Sequence, residues 1–67
     1  MDIKSALANW TALNDALRDA TEGEAEMLLK AEVKGVGRLG FVIRIHHRFN
    51  KLRSARELRE LSAKTKR

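Results

Sequence analysis

Arg44, Arg48 and Lys51 recur at i, i+4 and i+7, and Arg59 extends the row about two turns further. On a helix this spacing lines one flank with positive charge. His47 stands beside the row. Cations in such a line can follow a phosphate backbone, with an affinity that falls steeply as salt rises. The same row could also meet an acidic protein surface, or simply keep a small protein solvated. Arg53 and Arg56 lie on or near the opposite flank, close to two apolar residues, Leu58 and Leu61. That set suits a protein partner or a second copy of the chain. The expected polyanion contacts are therefore Arg44, His47, Arg48, Lys51 and Arg59. The expected protein or self contacts are Trp10, Arg53, Arg56, Leu58 and Leu61.

Other chemistries find little to work with. There is no Cys, so neither a disulfide nor a thiolate metal site can form. His46 and His47 are adjacent, and on a helix they project about 100° apart, which does not suit joint metal ligation. No Ser/His/Asp relay is visible. An enzyme, a metal site, a cofactor and a small-molecule substrate are all unexpected. Gly35-Val36-Gly37-Arg38-Leu39-Gly40 spells G-x-G-x-x-G. A dinucleotide site needs a buried strand before that motif, and here a charged helix end precedes it. The glycines instead suit a turn between helices, with Arg38 at its exposed edge. A helix-turn-helix reader is equally unpromising. The first residues of its recognition helix would be Leu39, Gly40, Phe41, Val42 and Ile43, which carry no side-chain hydrogen-bonding groups for bases. Contact with nucleic acid would then be to the backbone, without strong sequence specificity.

The elements that position these residues are helices. Zero Pro and abundant Ala, Leu, Lys, Arg and Glu favour that class throughout. Ile3, Ala6, Leu7, Trp10, Leu13 and Leu17 make one apolar stripe, which predicts helix 1 over about residues 2–19. Trp10 is the anchor candidate there, for the core or for a dimer contact. Thr21-Glu22-Gly23-Glu24 fits a capping box. It opens helix 2 over about 22–34, with Ala25, Leu28 and Leu29 inward and Met27 and Ala31 on a second buried side. Helix 3 spans about 39–63, with Val42, Ile45, Phe49 and Leu52 as its stripe and His46 bordering the core. After Leu52 the stripe breaks. Ala55, Leu58 and Leu61 follow three-residue steps and turn to a new face. Residues 64–67 are expected to form a disordered tail. The architecture expected is all-α, three helices in a helical-hairpin arrangement with a long C-terminal helix.

Size and charge add two constraints. A chain of 67 residues buries only about 60% of its unfolded surface, so its single core is small. With no disulfide or metal to help, self-association is the remaining support, and a homodimer is expected. Charge is asymmetric. Residues 1–34 carry four basic and seven acidic groups, net −3, whereas residues 35–67 carry ten basic and two acidic groups, net +8. The basic half would attract nucleic acid or an acidic host protein. No stretch is apolar enough for a membrane span or a signal peptide, so no membrane partner and a cytoplasmic location are expected.

The pattern of Thr21, Glu22, Leu28, Leu29 and Glu32, a Gly-containing turn, then Arg44-Ile45-His46-His47-Arg48-Phe49-Asn50-Lys51-Leu52-Arg53, resembles small helical proteins encoded by bacteriophages and prophages. The likeness covers about residues 10–60. It implies a bacterial host cytoplasm and a role in phage regulation or host takeover, including inhibition of a host factor. It carries no residue-level activity.

Overall fold

A computed structural model describes residues 2–65, and all regular structure in it is helical. Four helices follow in order: α1 (Ile3–Ala6), α2 (Trp10–Arg18), α3 (Glu22–Lys34) and α4 (Leu39–Lys64). The second and third expected helices appear with nearly the expected limits. The first does not: it is split in two.

The split has a local cause. Asn9 adopts extended dihedrals, and its side chain accepts a hydrogen bond from the Ala12 amide at 2.8 Å. Asn in that role satisfies a donor that the start of a helix otherwise leaves unpaired. It therefore opens a new helix at Trp10 instead of continuing the old one. Upstream, Asp2 caps α1 by accepting from the Ser5 hydroxyl at 2.6 Å and the Ser5 amide at 3.4 Å.

α3 opens on a complete capping box. The Thr21 amide donates to Glu24 Oε1 at 2.9 Å, and the Glu24 amide donates to Thr21 Oγ1 at 3.2 Å. Its end is closed by the Gly37 amide, which donates to the Glu32 carbonyl at 2.8 Å. Gly37 sits at φ +71°, a conformation that costs a side-chain-bearing residue but not glycine.

The core is small. Ala6, Leu13, Leu17, Leu28 and Ile45 form its buried cluster, with Ile3, Leu7, Ala16, Leu29 and Phe41 packed against it. Phe41, outside the expected stripe, thus joins Ile45 as an α4 contribution, while Val42, Phe49 and Leu52 are half-buried. Met27 is more than half exposed, so α3 is not buried on two sides as expected. His46 is exposed and does not border the core.

α3 and α4 lie antiparallel, and Arg56 reaches Glu22 at the first turn of α3. Nothing of α3 remains beyond that point. Residues 57–64 therefore continue as an unsupported arm of about 12 Å at 1.5 Å per residue, and every residue from 57 to 65 is exposed. The molecule is accordingly elongated, 46 × 18 × 14 Å. Of the expected tail, Lys64 is helical, Thr65 caps the helix, and Lys66 and Arg67 lie outside the described residues.

Candidate polyanion-binding flank of the long helix

α4 carries its cations on two flanks, and the two are treated differently. On the flank towards α3, Arg56 Nε donates to Glu22 Oε1 at 2.7 Å, and Arg56 Nη1 donates to Glu60 at 2.9 Å. Arg53 pairs with Glu57 at 3.5 Å and donates to Asn50 Oδ1 at 2.8 Å. The Arg56 hydrogen bonds, then the nearby positive charge of Arg53 and Arg59, hold the Glu22 carboxyl below its ordinary range. The positive charge on this flank is largely neutralised.

The flank towards α2 carries Arg44, Arg48 and Lys51, and Arg59 continues the row on the last turns, near enough to Glu22 for its charge to act there. None of them has a carboxylate partner among the described residues. Arg44 Nε donates to Asn14 Oδ1 at 2.7 Å, a neutral amide on α2. Arg48 Nε donates to the Leu17 carbonyl at 2.9 Å, and its Nη2 to the Arg18 carbonyl at 3.1 Å. These are final carbonyls of α2, which that helix cannot satisfy itself and where a cation also suits the helix dipole. Both guanidiniums are positioned by neutral groups, so no carboxylate among the described residues offsets their charge. Lys51 and Arg59 are exposed and make no hydrogen bond or ion pair among the described residues. From Arg44 to Arg59 the row runs about 22 Å along the helix. His47 is exposed at its edge.

The remaining expected residues are dispersed. Trp10 is half exposed and meets Phe41 edge-on, with ring centroids 5.6 Å apart. It sits near the start of α4, far along the helix from Leu58 and Leu61. Those two leucines are 65% and 59% exposed on the unsupported arm.

One feature corrects the sequence reading outright. Arg38 does not mark an exposed edge but turns inwards. Its guanidinium donates to both Glu32 carboxylate oxygens, at 2.8 and 3.0 Å, and to the Leu7 carbonyl at 2.8 Å. Its backbone amide also donates to Glu32 Oε2 at 2.8 Å. Glu32 is only 2% exposed, unlike the solvated acidic residues elsewhere. The Arg38 side-chain hydrogen bonds keep its carboxyl below the usual value, against the opposing effect of burial. The Arg38 guanidinium also lies 3.6 Å from the centre of the Phe41 ring. This cluster ties the end of α1, the last turns of α3 and the start of α4 together, which fixes where the basic flank points. A Glu and an Arg bracketing a two-glycine turn were the available sequence signal.

The described residues hold no group of three or more metal-ligating side chains. No helix among them is long and apolar enough to cross a membrane. The chain matches no family model, and no curated protein or solved structure is significantly similar to it.

Proposed function

We propose that this chain is a small non-enzymatic binding module whose α4 flank contacts a nucleic-acid backbone without strong sequence preference. The observation that carries the reading is the partition of charge on α4. Arg44, Arg48 and Lys51 share one flank, Arg59 continues it, and none of them forms an ion pair among the described residues, whereas Arg53 and Arg56 on the other flank do. A row of uncompensated cations is what phosphate contact requires, and it carries no base-reading geometry. The resemblance to phage-encoded proteins suits an accessory or regulatory role in a bacterial cytoplasm. The chain is further proposed to act as a homodimer, because its buried cluster is small and eight large apolar residues among those described are about half or more exposed.

Titration of arbitrary duplex and single-stranded DNA at several salt concentrations tests the reading. Binding that is tight near 50 mM salt, weakens with a linear log–log slope and ignores sequence supports it. No binding at 50 mM salt ends it.

A second reading rests on the arm. Leu58 and Leu61 are exposed on the last turns of α4, which suits a protein partner such as a host factor. A stoichiometric partner retained from nuclease-treated bacterial lysate, and lost with Leu58→Glu, would favour this reading. Loss of every partner on nuclease treatment would count against it.

A further inference from the structure

The third face of α4 points away from α2 and α3. Leu39, Ile43, His47, Asn50, Ser54, Glu57 and Leu61 share it, and all but the half-buried Asn50 are exposed. From Ile43 onward these residues advance by four, three, four, three and four. That is the seam spacing of a two-stranded coiled coil. The order of residues along the seam is informative. If a second copy of the seam runs antiparallel and crosses at the level of Leu52, Ile43 meets Leu61 of the copy. His47 then meets Glu57, and Asn50 meets Ser54. Each couple is chemically matched: apolar with apolar, imidazole with carboxylate, amide with hydroxyl. A parallel pair would instead set Glu57 on Glu57 and His47 on His47.

We propose that a second copy of this chain docks antiparallel on this face, with the two-fold axis at the level of Leu52 along the helix. Ile43 and Leu61, 46% and 59% exposed, close its two ends. The polar layers between them weaken the pairing while fixing its register and direction, as polar seam residues do in coiled coils. Arg53 lies to one side of the seam, where Glu57 already neutralises it. Lys51 lies to the other side. In an antiparallel pair the same flank of both helices faces the same way. Arg44, Arg48 and Lys51 of one copy therefore run on into Lys51, Arg48 and Arg44 of the other. The dimer would present one continuous cationic face, and a polyanion lying on it would relieve the repulsion between the two Lys51 side chains. Polyanion binding and dimerisation would then strengthen one another reciprocally. This last consequence rests on the proposed nucleic-acid reading, whereas the pairing itself does not.

The chain has no native cysteine, so thiols can be placed at will. Ile43→Cys and Leu61→Cys chains are mixed in equal amounts under mild oxidation, with Lys4→Cys as the off-seam control. The expected product is the 43–61 disulfide almost exclusively. In the antiparallel pair two residues 43 lie about 27 Å apart along the helices, far beyond the roughly 7 Å limit between bridged Cα atoms. Duplex DNA should raise the yield. By sedimentation, Leu61→Glu should lower the dimer association constant by at least about tenfold, with helical circular dichroism unchanged. Products 43–43 and 61–61 as abundant as 43–61, or yields no higher than the control, would overturn the pairing. DNA binding that persists alongside such a result leaves the nucleic-acid reading standing. A specific 43–61 product in a chain that binds no DNA would leave only the pairing.

Discussion

Substitutions on the basic flank should divide into two classes, because its four cations are held in two ways. Lys51 and Arg59 are exposed and make no hydrogen bond or ion pair among the described residues, so Lys51→Ala and Arg59→Ala should leave stability within about 0.5 kcal/mol of the parent. Arg48 closes the end of α2 through two carbonyls. Charge-assisted hydrogen bonds of this kind contribute about 1.5–3 kcal/mol each at most. Arg48 is only half-buried and water can replace it, so Arg48→Ala should cost about 1–2 kcal/mol. All three should lose affinity for DNA. If the four cations each neutralise one phosphate, the log–log salt slope is about −3.6, at roughly −0.9 per contact. A rise from 50 to 200 mM salt then weakens parental binding about 150-fold. The Lys51→Ala/Arg59→Ala double variant retains two contacts, a slope near −1.8 and a weakening of only about 12-fold over the same range. Fluorescence anisotropy with a labelled duplex reads the slopes, and urea unfolding reads the stabilities. A double variant with the parental slope would refute the assignment of these residues. An Arg48→Ala chain of unchanged stability would refute the account of how the flank is positioned.

The inward pair gives an asymmetric prediction: Arg38→Ala leaves the buried Glu32 carboxylate with little beyond the backbone amide at position 38 and should lower the urea midpoint clearly, while Glu32→Gln, which keeps most acceptors and donors near Arg38, should lower it less. Glu32 and Glu22 are both held below their ordinary value of 4.5 in the folded chain. Their contribution to stability is therefore complete above that value and is lost as pH falls through the lowered folded values, so urea midpoints should drop on acidification below about 4.5 and stay level above it on their account. Ile45→Ala empties the centre of a small buried cluster and should cost about 2–5 kcal/mol, enough to leave much of the chain unfolded by circular dichroism. Asn9→Ala removes the cap that opens α2 and should cost about 0.5–2 kcal/mol, measured the same way.

Much of the architecture was legible because strong local signals agreed. The Thr21–Glu24 box and the glycines after Lys34 bound α3 on both sides, and the apolar steps through Ile45 set the inner face of α4. What the sequence reading missed depends on competition between local options. The stripe from Ile3 to Leu17 is continuous in period, yet Asn9 inside it has its own hydrogen bond to offer and starts a new helix. Periodicity reports which face is apolar, not whether the backbone remains continuous along it. Glu32 and Arg38 were obscured for a different reason. Charged residues are read as solvated by default, and only the turn between α3 and α4 brings this pair together in the interior. On the basic flank, spacing alone placed Arg44, Arg48, Lys51 and Arg59 on one side. It could not say which of them also hold α2 in place.

The split between neutralised and uncompensated cations follows from the hairpin itself. Negative charge gathers at the start of α3, where Glu22 and Glu24 suit the helix dipole. An antiparallel α4 must bring its middle and later turns alongside that end, so Glu22 there finds Arg56 and not Arg48. α2 presents its C-terminal end to α4 instead, and carbonyls are what Arg48 meets. The two neighbours thus offer opposite ends of their dipoles to one helix. One end supplies the full negative charge of Glu22, which with Glu57 and Glu60 of α4 itself offsets Arg53 and Arg56. The other supplies partial charges only, which orient guanidiniums without cancelling them. Reversing the charge at position 22, as Glu22→Lys, should therefore do more than break one ion pair. It should leave Arg56 paired with Glu60 alone and extend uncompensated charge onto the second flank, so DNA binding should tighten while the urea midpoint moves little. DNA binding that does not tighten would refute the claim that uncompensated charge on α4 sets the affinity.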